Sequence, residues 1–243
     1  MTQPETILIT GGAKRIGRAI TLYLANQGHA VAIHYNLSAK EADALAAEIT
    51  NAGGTAVAIR ANLEQETEAS SLIEQAASAL GQPITCLINN ASQFEPDDIT
   101  TATRETWDLH MEVNLRAPFV LSQKFQAALP ADTKGNIINI IDQRVKRLDP
   151  TFSSYTLSKV GLWTLTQTMA QALAPNIRVN GIGPGPVLPS IHQTNDAFQA
   201  EVQSTPLGQE TDPLEIAQAI QFILNTPSMT GQMIALDGGQ HLI

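Results

Sequence analysis

The sequence predicts an α/β fold, a single doubly wound domain in which a seven-stranded parallel sheet is flanked by helices on both faces. Three observations point there. Short, continuous apolar runs, such as residues 6–10 and 84–88, read as strands buried on both sides. Each run is followed by a longer stretch with apolar residues at helical spacing, so strands and helices alternate from end to end. Neither repeats nor a linker interrupts that alternation across 243 residues, so one domain spans 1–243.

The first strand, 6–10, runs into the glycine turn Gly11-Gly12-Ala13-Lys14-Arg15-Ile16-Gly17 and then a helix ending near Gly28. Strand, glycine turn and helix form the first half of a Rossmann-type dinucleotide-binding unit. The turn lets backbone approach a pyrophosphate, and the helix N-terminus offers free N–H groups. The second strand, 30–35, ends in His34-Tyr35-Asn36-Leu37-Ser38 with no carboxylate. An acidic residue there would accept from ribose hydroxyls. Its absence, with Lys14 and Arg15 nearby, favours a ribose 2′-phosphate and hence NADPH. His34 and Ser38 either contact that ribose or merely end the strand and cap the next helix.

A helix over 39–51, a third strand over 55–60 and a helix over 64–80 follow. Asn62-Leu63 lies where an adenine could rest. The fourth strand, 84–88, delivers Asn89-Asn90-Ala91-Ser92 at its carboxyl end, where ligands of open α/β sheets bind. A long helix over 105–129 carries Asn114 among apolar neighbours, which implies a buried polar partner, and Pro118, which implies a kink. The fifth strand, 136–141, places Asp142 at its end. Tyr155 opens the next helix, and Lys159 projects from the same face one turn on. A sixth strand starts at Asn176 and is left through Gly181 to Pro186. Residues 186–212 read as a mobile substrate flap with a short helix, 214–224 as a helix, and 233–236 as the last strand.

Net charge is −9, with 43% hydrophobic and 15% charged residues, which argues against a nucleic-acid partner. Cys86, the sole cysteine, sits in an apolar run, so no internal disulfide is possible. The five histidines show no metal-ligand spacing, so no metal is expected. No apolar run reaches the roughly 18 residues of a membrane span. A strand-like run begins almost at once, so no signal sequence is expected and a cytoplasmic location is the default.

Thr10-Gly11 through Gly17, Asn89-Asn90-Ala91, Asn114, Tyr155-x-x-x-Lys159 and Pro184-Gly185 together resemble the short-chain dehydrogenases/reductases, in the family's order and over essentially the whole chain. The resemblance implies Tyr155 as proton donor, Lys159 lowering its pKa and binding the nicotinamide ribose, and Asn114 holding a relay water. It implies cofactor contacts from Gly11, Arg15, Ile16 and Gly17 in the turn. Further contacts are implied from His34, Asn36 and Ser38, from Asn62 and Leu63, from Asn89 and Ala91, and from Pro184, Gly185 and Val187. Two departures, Arg15 for the usual glycine and Asp142 for the usual serine, resemble the pteridine reductases. On that resemblance Arg15, Ser92, Phe94, Asp142 and Tyr155 contact a pterin or folate, Phe94 by stacking. Asp142 with Tyr155 supplies the proton that a reduced C=N bond needs on nitrogen. Asp142 could instead cap a loop or pair with Arg144 or Lys146, and Phe94 could be packing. Pteridine reductases commonly carry an arginine near position 37, here Leu37. The alternatives are a ketone or 3-oxoacyl thioester reductase of the same family, and a non-catalytic NADP-sensing protein. The family also implies a homotetramer.

Overall fold

The computed structural model describes residues 4–243. Seven parallel strands form one sheet: β1 (Thr6–Ile9), β2 (Ala30–Tyr35), β3 (Ala56–Arg60), β4 (Cys86–Asn89), β5 (Gly135–Ile140), β6 (Ile177–Pro184) and β7 (Met233–Leu236). Their order is β3-β2-β1-β4-β5-β6-β7. Successive side chains point to opposite faces, and each face buries its own core. Ile7, Ile9, Cys86, Ile88, Ile138 and Ile140 pack with α1 (Arg15–Asn26), α2 (Ala39–Asn51) and α8 (Pro213–Leu224). Leu8, Leu87 and Ile137 pack with α3 (Glu66–Leu80), α5 (Ala117–Ala128) and α6 (Ser153–Ala172). The order in which strands are added reverses between β1 and β4, opening a crevice beyond their carboxyl ends.

Two expectations change. The helix expected over 105–129 is α4 (Arg104–Met111), a π-helical turn (Glu112–Arg116), and then α5. Pro118 stands in the first turn of α5, where a proline costs no hydrogen bond, so the interruption is the π turn and not a proline kink. Residues 181–184 do not leave the sheet. β6 continues through Gly181, Ile182, Gly183 and Pro184, all paired with β7. Here the glycines admit close neighbours: a Cβ on Gly181 would stand 2.4 Å from Ile141 Cδ1. Between β6 and α8 the chain carries one helix, α7 (Asn195–Ser204). No helix among the described residues is long and apolar enough to cross a membrane.

Candidate active site

A cleft of two adjoining chambers, about 320 and 550 Å³, lies beyond the carboxyl ends of β1, β4, β5 and β6. The smaller chamber is walled by the glycine turn and by Asn36, Asn62, Leu63 and Ala91. Gly17 makes the turn possible, since a Cβ there would stand 2.0 Å from Gly11 O and 2.8 Å from Asn90 Nδ2. Asn90 Nδ2 donates to Thr10 O and Gly11 O at 2.9 and 3.1 Å, tying the end of β4 to the turn.

His34 lies at this wall but is 2% exposed and fully engaged. Its Nδ1 accepts from Gly11 N at 3.0 Å, so Nε2 carries the hydrogen and donates to Ala61 O at 3.0 Å. Burial pushes its pKa down to about 4, which keeps it neutral. His34 therefore braces three strand ends together and has no nitrogen left for a ribose. Asn89 lines neither chamber: it faces the α6 layer, donating to Asn139 Oδ1 at 2.8 Å, because as the last residue of β4 it shares a face with Leu87. Ser38 lines neither chamber and makes no capping bond. Lys14 lines the smaller chamber and is paired with Glu41 at 2.7 Å. Arg15 reaches the other way, its Nη2 donating to Leu188 O and Pro189 O at 3.3 and 3.0 Å.

The larger chamber brings together Arg15, Ser92, Phe94, Asp142, Tyr155 and Lys159, bounded by Pro184, Gly185 and Val187. Tyr155 Oη donates to Asp142 Oδ2 at 2.7 Å, and Asp142 Oδ1 accepts from Arg144 N at 2.8 Å. Lys159 Nζ donates to Ile140 O at 2.9 Å and lies 5.7 Å from the Tyr155 ring centre. Burial raises the Asp142 carboxyl, while the bonds from Tyr155 and Arg144 oppose that rise. Burial, then the charge of Asp142, push the Tyr155 phenol well above its ordinary value. Burial brings Lys159 down to about 8. The expected lowering of the tyrosine by Lys159 is thus reversed, first because the phenol is buried and then because a carboxylate occupies the serine's place. Asn114, in the π turn, is wholly buried: Oδ1 accepts from Gln93 N at 2.8 Å, and Nδ2 donates to Gln93 O and Ser158 Oγ at 3.0 and 3.1 Å. It pins the loop that carries Phe94.

Phe94 stacks on Phe152 at 4.2 Å between ring centres and meets Tyr155 edge-on at 4.7 Å. The Arg144 guanidinium lies 5.2 Å from the Phe152 ring centre. Phe152 escaped the sequence reading, and Arg144 entered it only as a possible partner of Asp142. Phe152 holds φ +54°, which its own identity does not signal.

The model of the family described as short chain dehydrogenase matches residues 5–200. The chain belongs to that family. The matched residues carry six of the seven strands, β1 to β6, and the protein is an oxidoreductase of that kind. Among solved structures, the alternative dihydrofolate reductase 1 (FolM) of Brucella suis, in complex with NADP, is 46% identical with a TM-score of 0.95. It covers 98% of this chain and 95% of its own. A blue fluorescent protein from a metagenomic library, in complex with NADPH, is 30% identical with a TM-score of 0.90, covering 97% of each chain. A 3-oxoacyl-[acyl-carrier-protein] reductase of Synechocystis sp. is 30% identical over 97% of this chain and 96% of its own.

Proposed function

We propose that this protein is a cytoplasmic, NADPH-dependent reductase of a pterin, taking a dihydropterin or dihydrofolate to the tetrahydro form. The observation that carries the reading is the Tyr155–Asp142 hydrogen bond in the chamber that Phe94 also lines. The 46% identity with a protein named an alternative dihydrofolate reductase supports it. The smaller chamber fits a dinucleotide. Its glycine turn is closed to any side chain at Gly17, and it opens on the N-terminus of α1. Gly11, Gly17, Asn36, Asn62, Leu63 and Ala91 would hold the cofactor there, with Lys14 beside the ribose phosphate and Lys159 at the nicotinamide end. When bound, NADPH supplies the hydride.

The protein's own residues handle the proton. Reduction of a C=N bond leaves the nitrogen needing one. Tyr155, neutral because its phenolate is disfavoured, gives its hydrogen to that nitrogen and is reprotonated from solvent through Asp142, whose raised carboxyl takes up a proton more readily than a free one. The charge left on Asp142 lies near the Lys159 ammonium, so no isolated phenolate forms. Phe94 offers an aromatic wall to a planar heterocycle, and residues 186–212 close over it. Trp107, Phe119 and Leu157, exposed on α4, α5 and α6, suit assembly as a homotetramer, which light scattering reads directly.

A second reading, a 3-oxoacyl thioester reductase, is favoured by the name of the Synechocystis relative. NADPH oxidation against dihydrobiopterin, dihydrofolate, biopterin and an acetoacetyl thioester separates the two. Turnover confined to pterins supports the proposal, and Asp142→Ser then lowers it by about one to two orders of magnitude. Turnover of the thioester alone removes the pterin.

A further inference from the structure

Helix α6 begins without a cap of its own. The residue before it, Phe152, holds φ +54° and offers no side-chain acceptor, although the first N–H groups of a helix need partners. They find one 57 residues upstream: Asp97 Oδ1 accepts from Ser154 N at 3.1 Å, and Asp97 O from Ser153 N at 3.4 Å. Asp97 Oδ2 accepts from Ser154 Oγ as well.

The chain of bonds goes on. His110 Nε2 accepts from Glu95 N at 2.9 Å, and a backbone N–H can only donate, so the hydrogen of His110 is on Nδ1. Nδ1 donates to Ser154 Oγ at 2.7 Å, and the Ser154 hydroxyl passes its own hydrogen to Asp97. All three side chains are buried, His110 and Ser154 almost wholly. Burial holds His110 below its ordinary pKa, consistent with one hydrogen on the ring. The ring of His110 stands edge-on to Tyr155, 5.9 Å between centres, so it and Phe94 both bear on the phenol. The Glu95 carboxylate in turn meets His192 of the 186–212 segment at 3.0 Å.

We propose that Asp97, Ser154 and His110 are positioning residues for the reduction. They fix the first turn of α6, and the Tyr155 ring with it, so that Tyr155 Oη is held on Asp142. They touch neither chamber's contents themselves. A core network indifferent to the reaction would not need its middle member adjacent to Tyr155 and its histidine against the tyrosine ring. The inference rests on the reading of Tyr155 as proton donor.

The test compares Ser154→Ala, His110→Phe, which keeps a ring against Tyr155, and Asp97→Asn, which keeps the acceptor for Ser154 N. A misplacement of about 1 Å costs on the order of 10²-fold in rate. Ser154→Ala and His110→Phe are therefore expected to lower kcat by about tenfold to a hundredfold, with KM for NADPH unchanged within about twofold. Asp97→Asn should recover part of that loss relative to Asp97→Ala. Independently of any substrate, ¹³Cζ-tyrosine NMR resolves Tyr155 from the other two tyrosines, with Tyr155→Phe as the assignment. Its resonance is expected to move in both variants. A kcat within about twofold of the parent with an unmoved Tyr155 resonance overturns the proposal, as does a loss that appears equally in KM for NADPH. If the parent protein reduces nothing in the substrate panel, the pterin reading falls, and the resonance alone decides the positioning.

Discussion

Replacing Asp142 by asparagine changes one atom and most of the site's chemistry. Both carboxylate oxygens now accept, Oδ1 from Arg144 N at 2.8 Å and Oδ2 from Tyr155 Oη at 2.7 Å. An asparagine has one acceptor oxygen. The Arg144 N–H cannot reverse, so it claims that oxygen, and the amide NH₂ then faces Tyr155, which must turn and accept. The charge-assisted bond that is lost contributes about 1.5–3 kcal/mol. Removing a buried carboxylate also removes its desolvation penalty, so the net change in stability is expected near 1 kcal/mol. Activity has no such offset. Without a carboxyl behind it to relay a proton Tyr155 has no route to a second hydrogen, and turnover should fall by about 10²–10⁴. The Tyr155 phenol should titrate lower than in the parent, and Lys159, losing the attraction of Asp142, should titrate below its present value of about 8. Steady-state NADPH oxidation with saturating dihydropterin, followed from about pH 5 to pH 9, reads both effects. Turnover within about threefold of the parent would refute the coupling of Asp142 to proton delivery.

Three further outcomes follow from the same geometry. Gly17→Ala puts a methyl group 2.0 Å from Gly11 O, so the turn must move; NADPH fluorescence titration should show lost binding, and melting should report about 1–3 kcal/mol of overpacking. Lys159, lowered from 10.5 to about 8 by burial, loses its proton as pH rises through about 8, so kcat/KM should fall above that value. The unfolded chain holds the extra proton between those two values, so stability should instead rise across that window, by at most about 3 kcal/mol, and denaturant melts at each pH check the opposite signs. Lys14 lines the smaller chamber and is shared with Glu41, so Lys14→Ala should cut the preference for NADPH over NADH by about tenfold while Glu41→Gln raises it, as the ratio of the two kcat/KM values will tell.

Much of this molecule is legible from local pattern. The bounds of β2, α2 and β7 fall where the alternation of apolar runs and helical spacing puts them, because each is flanked by glycine or a turn that stops it. Tyr155, Lys159, Asp142 and Phe94 converge as their placement at strand and helix ends requires. What was not legible depends on tertiary closure. Asn89 and Asn90 are adjacent and chemically identical, and only the pleat of β4 sends one to the core and the other to the glycine turn. His34 reads equally as ligand or brace until Gly11 and Ala61 are seen to consume both nitrogens. β6 outlasts its glycines because β7 pairs with it from a segment some fifty residues away.

The π turn at Glu112–Arg116 has a consequence for how such a site can arise. An α-helix is a screw, advancing about 100° per residue, so one residue too many leaves everything after it out of phase with everything before it. Here the two halves answer to different neighbours, α4 to α6 and α5 to α3, and the phase slip lets each present its own best stripe. Asn114 rides on the slip itself, turned inward where a regular winding would have to choose between the two faces. Deleting a single residue there would restore an ordinary helix and mend nothing. It would swing either Asn114 or the whole α5 stripe away from its partner, so length at this point is as much a part of the active site as any side chain.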